Sequence, residues 1–156
     1  MDMRKVISVI VMNEDGVLSR ISGLFAGRGY NIESLTVAPI PNSELSRFTI
    51  VTGGNQRVLE QITKQLHKLI PVYKVIENKD FVEKEMALVK IPLDVDLNGL
   101  DAMLKAYNGV IANSGIDFLI LMVADDASRV ANFLKAVTRF KPISITRGGS
   151  VAMETD

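Results

Sequence analysis

Lys5-Val6-Ile7-Ser8-Val9-Ile10-Val11-Met12, then Asn13-Glu14-Asp15-Gly16, then Val17-Leu18-Ser19-Arg20-Ile21-Ser22-Gly23-Leu24-Phe25 is the stretch on which the fold turns. The first eight residues form a Val- and Ile-rich apolar run, the mark of a buried strand. The next four are a turn signal. Val17, Leu18, Ile21, Leu24 and Phe25 then recur at helical spacing. Gly27 and Gly29 end that helix, because glycine tolerates the left-handed conformation there. Further on, Ile32–Ile40 reads as a strand closed by Pro39 and Pro41, and Leu45–Thr52 as another closed by Gly53-Gly54. Val58, Leu59, Ile62, Leu66, Leu69 and Ile70 mark a second amphipathic helix. Pro71 stops it, and Val72–Ile76 is a last strand. The order is βαββαβ.

The remainder repeats this rhythm more loosely. Met86–Leu93 is a strand, and Leu97, Leu100, Leu104 and Tyr107 mark a helix. Gly109–Asn113 and Ile116–Ala124 read as strands. Val130, Phe133, Leu134 and Val137 mark a helix. Ile143–Thr146 starts a final strand that Gly148-Gly149 bulges or breaks. The charged stretch Glu77–Glu85 is the join. The expected fold class is α+β, with two ferredoxin-like βαββαβ domains at 1–78 and 79–156. Domains of that size bury only about 60% of their unfolded surface and are marginal alone. The first strand is apolar on both faces. One face meets the helices, and the other needs cover from the sister half or a second copy. A homodimer is therefore expected.

Composition narrows the chemistry. The chain has 156 residues, with 18 Lys+Arg against 18 Asp+Glu, one His and no Cys. Lack of Cys removes thiolate zinc sites, CxxC redox chemistry and thiol catalysis. One His excludes a multi-histidine metal site within the chain and disfavours a Ser-His-Asp triad. Zero net charge argues against sequence-independent nucleic-acid binding. No apolar run reaches the roughly 20 residues of a membrane span. Met1-Asp2-Met3-Arg4 leads straight into the first strand, so no signal peptide is read, and a cytoplasmic location is expected.

The turn before the first helix is the best candidate site. A helix N-terminus leaves unpaired N–H groups and a partial positive charge, which suits a carboxylate. Gly16 allows close backbone approach. Asn13 adds a polar contact. Asn31, at the start of the next strand, can accept from an ammonium or donate to a carboxylate if it lies near the turn. Val17, Leu18 and Ile32 would be apolar walls. The set suits a small apolar amino acid. Spacing alone leaves a plainer reading open, with Asp15 as the helix cap and Gly16 as a turn residue.

Other motifs read as structural. Gly23, Gly27 and Gly29 are spaced GxxxGxG, unlike a dinucleotide site. His67 and Lys68 complement a helix C-terminus. Glu83-Lys84-Glu85 reads as a solvated strand edge. Asp94 and Asp96 read as an exposed turn rather than an acid–base pair. Ser43 and Ser46 have no activating neighbour. Ferredoxin-like plans serve unrelated functions. Here the RNA-binding version lacks its aromatic strand, the copper chaperone its CxxC, and an acylphosphatase-like enzyme its basic phosphate loop.

Gly29-Tyr30-Asn31-Ile32-Glu33-Ser34-Leu35-Thr36-Val37-Ala38-Pro39 resembles the small regulatory subunit of acetolactate synthase (acetohydroxyacid synthase), an ACT-domain family. The resemblance extends through Asn13–Arg20, Gly23-Leu24-Phe25, Leu45-Ser46-Arg47, Val58–Leu69 and Leu88-Val89-Lys90. Thr146-Arg147-Gly148-Gly149 is similar to the family's closing motif. The resemblance implies a non-catalytic chain that binds no cofactor itself. Its partner would be the catalytic large subunit, which uses thiamine diphosphate, magnesium and FAD. The chain would activate that subunit in branched-chain amino acid biosynthesis and confer feedback inhibition by valine. The implied effector site joins Asn13–Leu18 of one chain to Asn31-Ile32 of the other. Gly16 would give close approach and amide donors, and Asn31 and Asn13 would hold the polar groups. Val17 and Ile32 would meet the side chain, and Ala38 would be small for packing below. Asp15 either caps the helix or opposes the effector carboxylate. The rival expectation is a free-standing ACT-domain sensor acting on another enzyme or regulator.

Overall fold

The computed structural model describes residues 3–77 and 79–156. The elements run β1 (Met3–Met12), α1 (Val17–Gly27), β2 (Asn31–Pro39), β3 (Leu45–Gly54), α2 (Gln56–Lys68), β4 (Val72–Ile76), β5 (Phe81–Pro92), α3 (Leu100–Ala106), β6 (Val110–Ser114), β7 (Phe118–Asp125), α4 (Ala127–Ala136), β8 (Ser144–Arg147) and β9 (Val151–Glu154). A single 3-10 turn, Val137–Phe140, continues α4. Two compact units result. One runs to Val82 and includes Ala152–Asp156, and the other is Glu83–Val151. The domain boundary expected at Asn78 lies outside the described residues.

The first unit carries an antiparallel sheet in the order β2-β3-β1-β4. Ile7, Val9 and Val11 alternate onto the face that meets α1 and α2, as a period-two strand requires. They pack with Ile21, Leu24, Phe25, Phe48, Ile50, Leu59, Ile62 and Leu66. The opposite face is also buried, at Ser8, Thr49, Val51 and Ile76. Asn55 caps α2 by accepting from the Val58 amide at 3.0 Å.

C-terminal residues complete this unit. Arg47 donates to the Ala152 carbonyl at 3.3 Å and pairs with Glu154 at 3.2 Å. The Thr155 amide donates to the Asp80 carbonyl at 3.0 Å, and Lys79 meets Asp156 at 2.9 Å.

Glu77 accepts from the Thr63 hydroxyl at 2.6 Å and from Lys5 at 2.9 Å. Burial raises its pKa. The Thr63 hydroxyl and the Lys5 ammonium, with His67 further off, outweigh that and hold the carboxyl below its ordinary value. The sign follows from linkage: the unfolded state binds the proton more readily. The stabilisation is present above the ordinary carboxylate value of 4.5 and is lost as pH falls through the lower folded value. Glu77→Gln should therefore lower the melting temperature at pH 7 and flatten its fall below pH 4.5. Parallel acid melting profiles for both chains would count against this.

The second unit has the sheet order β6-β7-β5-β8. Its core joins Ala87, Val89, Ile91, Leu121, Val123, Val130, Phe133, Val137 and Phe140. Tyr107 meets Phe133 edge-on, with centroids 5.6 Å apart.

Several boundaries depart from the sequence reading. α3 begins at Leu100 rather than Leu97, because Asp96 accepts from the Asn98 amide at 2.9 Å and Gly99 takes a left-handed conformation at the cap. This confirms Asp96 as a turn residue. Gly109 closes α3 by donating to the Leu104 carbonyl at 2.7 Å, so β6 starts after it. Ile116 sits in the β6–β7 hairpin, which the Gly115 amide closes onto the Phe118 carbonyl at 2.9 Å. Gly148-Gly149 breaks the final strand, and the chain resumes as β9.

Glu83-Lys84-Glu85 is not a solvated edge. It lies in β5, which pairs with β7 from Glu85 and with β8 from Ala87, and of the three only Lys84 is exposed. Glu85 is buried and paired with Arg147, and Glu83 accepts from Ser150 at 2.5 Å. Three charged letters in a row hid the alternation of a central strand. No helix among the described residues is long and apolar enough to cross a membrane.

Candidate functional site

The turn between β1 and α1 is held at its base by backbone bonds. The Met12 amide donates to the Pro71 carbonyl and the Asn13 amide to the Glu44 carbonyl, both at 2.9 Å. Gly16 then takes φ 83 and ψ 2 at the helix cap position, and no side chain caps α1. A residue with a Cβ would be strained in that left-handed conformation. The space where a Cβ would stand is open. Asp15 is therefore not the cap. The backbone turns at Gly16, and Asp15 is left exposed. The N-terminus of α1 keeps its positive end free of any side-chain acceptor.

Val17 and Leu18 part company at this turn. Val17 is 6% exposed and belongs to the core beneath α1, so it is no free wall. Leu18 is 50% exposed beside it. Asn13 is exposed, and its side-chain oxygen accepts from the Ser46 hydroxyl.

Asn31 is exposed at the start of β2, and its carbonyl accepts from the Thr52 hydroxyl. Ile32 is half-buried and packs on the core. Within one chain Asn31 does not lie near the turn. It pairs with Gly53, whereas Met12 pairs with Leu45 and Pro39 with Ser46. The turn and Asn31 therefore occupy opposite ends of the sheet. Seven residue steps along β3 separate them, from Ser46 to Gly53, or about 23 Å. Ala38 lies at the Asn13 end, opposite Arg47. β2 itself is an edge strand of the sheet.

Sequence reasoning passed over Ser46 and Thr52. The signal was present in the alternation of β3. Ser46, Phe48, Ile50 and Thr52 share one face, two hydroxyls bracketing two large apolar side chains. A cleft of about 590 Å³ elsewhere in this unit is lined by Arg4, Lys5, Gln56, Glu60, Glu77 and Lys79 among others. It contains the Lys5–Glu77 ion pair, with Met3, Val6, Leu59 and Phe81 among its apolar lining. Among the described residues no group of three or more His, Cys, Asp or Glu side chains could hold a metal ion.

Comparison with known proteins extends over the whole chain. Residues 7–74 match the family described as an AHAS small subunit-like ACT domain, and residues 84–156 match the small subunit of acetolactate synthase. The chain is 40% identical to the acetolactate synthase isozyme 3 small subunit of Escherichia coli, covering 97% of this chain and 95% of that one. It is 38% identical to the acetolactate synthase small subunit of Buchnera aphidicola, covering 97% and 98%. The crystal structure of the acetolactate synthase small subunit from Thermotoga maritima superposes with a TM-score of 0.89 at 32% identity, covering 99% and 98%. The two-unit fold and the sequence thus agree, and the chain belongs to the acetolactate synthase small-subunit family, with an ACT domain in its N-terminal half.

Proposed function

We propose that this chain is the regulatory subunit of acetolactate synthase, working in the cytoplasm as a homodimer bound to the catalytic large subunit. It activates that subunit and makes it sensitive to valine. The catalytic partner supplies the chemistry with thiamine diphosphate, magnesium and FAD, and this chain holds none of them.

The observation that carries the reading is the geometry of the β1–α1 turn together with the edge position of β2. Gly16 leaves the start of α1 open and uncapped, with Asn13 beside it. Antiparallel pairing of two β2 edges about an axis near Leu35 would reverse one strand against the other. The Asn31 end of one copy then meets the Asn13 end of its mate. Two copies thereby restore the juxtaposition that a single chain lacks. The α1 amides and Asn13 face the carboxylate of the effector. Asn31 of the second copy faces its ammonium, and Leu18 and Ile32 approach the side chain. Val17 shapes the site from the core, and small Ala38 keeps packing close below it. Valine bound in this way favours one arrangement of the dimer, and that arrangement restrains the catalytic subunit. Couplings of this type are typically about 1–3 kcal/mol.

Calorimetric titration with valine, leucine and isoleucine tests the reading. Saturable binding that favours valine, and that Asn31→Ala weakens by at least about tenfold, is the expected result. Valine binding and valine inhibition of the reconstituted complex that are both unchanged by Asn31→Ala would overturn the site.

A further inference from the structure

The two asparagines are anchored from one strand. The face of β3 toward the helices reads Ser46, Phe48, Ile50, Thr52, with the apolar pair in the core and a hydroxyl at each end. Ser46 reaches the Asn13 side chain, and Thr52 reaches the Asn31 backbone carbonyl. Both hydroxyls are buried, Ser46 at 6% exposure and Thr52 at none. A buried hydroxyl left without a partner is costly, so each is committed to its bond.

The two bonds differ in what they leave free. Thr52 holds only main chain, so the Asn31 side chain keeps both its donor and its acceptor. Ser46 donates to the side-chain oxygen of Asn13. That engages the acceptor atom of the carboxamide and leaves its NH2 group to donate elsewhere, three residues before the uncapped start of α1. The groups that end offers to a carboxylate are then the NH2 of Asn13 and the uncapped amides of α1, which act against the exposed Glu14 and Asp15 carboxylates of the same turn. Resting on the effector site proposed above, we propose that Ser46 is the positioning residue that gives this half-site its polarity. It makes Asn13 a carboxylate reader and leaves ammonium recognition to Asn31 of the second copy. With the opposite amide orientation, the oxygen of Asn13 would face the ligand and select an ammonium instead.

The test uses the full chain and three probes: L-valine, L-valinamide and 2-hydroxy-3-methylbutanoate. The amide lacks the carboxylate, and the hydroxy acid lacks the ammonium. Ser46→Ala should weaken valine and the hydroxy acid each by about tenfold, the size of one lost charge-assisted hydrogen bond. Valinamide should change by less than about twofold on the same grounds. Ser46→Thr keeps the hydroxyl and should restore the wild-type order of the three probes. Asn31→Ala should give the opposite signature, weakening valine and valinamide while sparing the hydroxy acid. Melting temperatures of the two Ser46 variants report any general damage.

Equal loss of valine and valinamide in Ser46→Ala overturns the proposal, because it marks Ser46 as merely structural. Unchanged valine affinity, or loss confined to the ammonium-bearing probes, also overturns it. Those results leave the site itself standing if Asn31→Ala still weakens valine. Failure of the wild-type chain to take up any probe overturns both the site and the role of Ser46.

Discussion

Gly16→Asp is expected to abolish the valine response of the reconstituted enzyme while leaving activation by this chain in place. Two effects combine at one position. The backbone there is left-handed, at φ 83, and a residue with a Cβ costs about 1–2 kcal/mol more in that conformation. The new carboxylate also takes the acceptor position at the open start of α1, where the effector carboxylate would bind. The strain falls on stability, with or without valine; at the site, loss of the amide donors and repulsion between two carboxylates, about 1.4 kcal/mol each, multiply to about a hundredfold in the valine concentration needed for half inhibition. The fold survives, because the Cβ enters open space and a strain of about 1–2 kcal/mol is less than the unit's total stability. Gly16→Ala carries only the backbone cost, so it should lower the melting temperature and leave the valine response within about twofold. The measurement is acetolactate formation against valine concentration, with and without this chain. Inhibition at wild-type valine levels in Gly16→Asp would remove the turn from the site. Loss of activation together with inhibition, in a folded chain, would show that the two roles are not separable.

The largest effect on stability is expected at Phe133. It is fully buried in the second core, against the edge of Tyr107. Truncating a buried Phe to Ala costs about 3–5 kcal/mol, from lost transfer energy and the cavity left behind. A unit of about 70 residues holds only about 4–10 kcal/mol in total. Phe133→Ala should therefore lower the melting temperature of this unit by at least about 12 °C. Phe133→Leu, which keeps most of the volume, should cost under about 1.5 kcal/mol. Differential scanning calorimetry checks both. A shift below about 4 °C for the Ala variant would mean that the core closes over the gap.

The first unit was readable because its letters obey one period at a time. Ile7, Val9 and Val11 alternate, while Val58, Leu59, Ile62 and Leu66 recur at helical spacing, and Pro71 separates helix from strand. β4 follows the expected bounds, Val72–Ile76. The second unit was harder because its ends are set by hydrogen bonds that no periodicity records. Asp96 to Asn98 delays α3, and Gly115 to Phe118 turns Ile116 out of its strand. Glu85 was misread for a different reason. A buried carboxylate is stable only when paired, and its partner Arg147 stands 62 positions away.

The same limit applies to the candidate site. Asn13 and Gly16 were legible because the turn and helix start are contiguous in sequence. The place of Asn31 depends on strand order, which puts β2 beyond β3 and carries it to the far end of the sheet. Ser46 looked inert because a hydroxyl was sought as a nucleophile. Its proposed role lies instead in the one atom of Asn13 to which it donates.

The return of Ala152–Asp156 to the first unit has a consequence for how this protein is made. Arg47 waits for Glu154 and the Ala152 carbonyl, and Asp80 waits for the Thr155 amide. Domains generally fold in order as they leave the ribosome. Here the N-terminal unit is begun first but completed only after the whole second unit, Glu83–Val151, has been made. A nascent chain stalled short of residue 152 would carry a first unit still missing its clasp, and a change at 152–156 would burden the N-terminal half of the molecule.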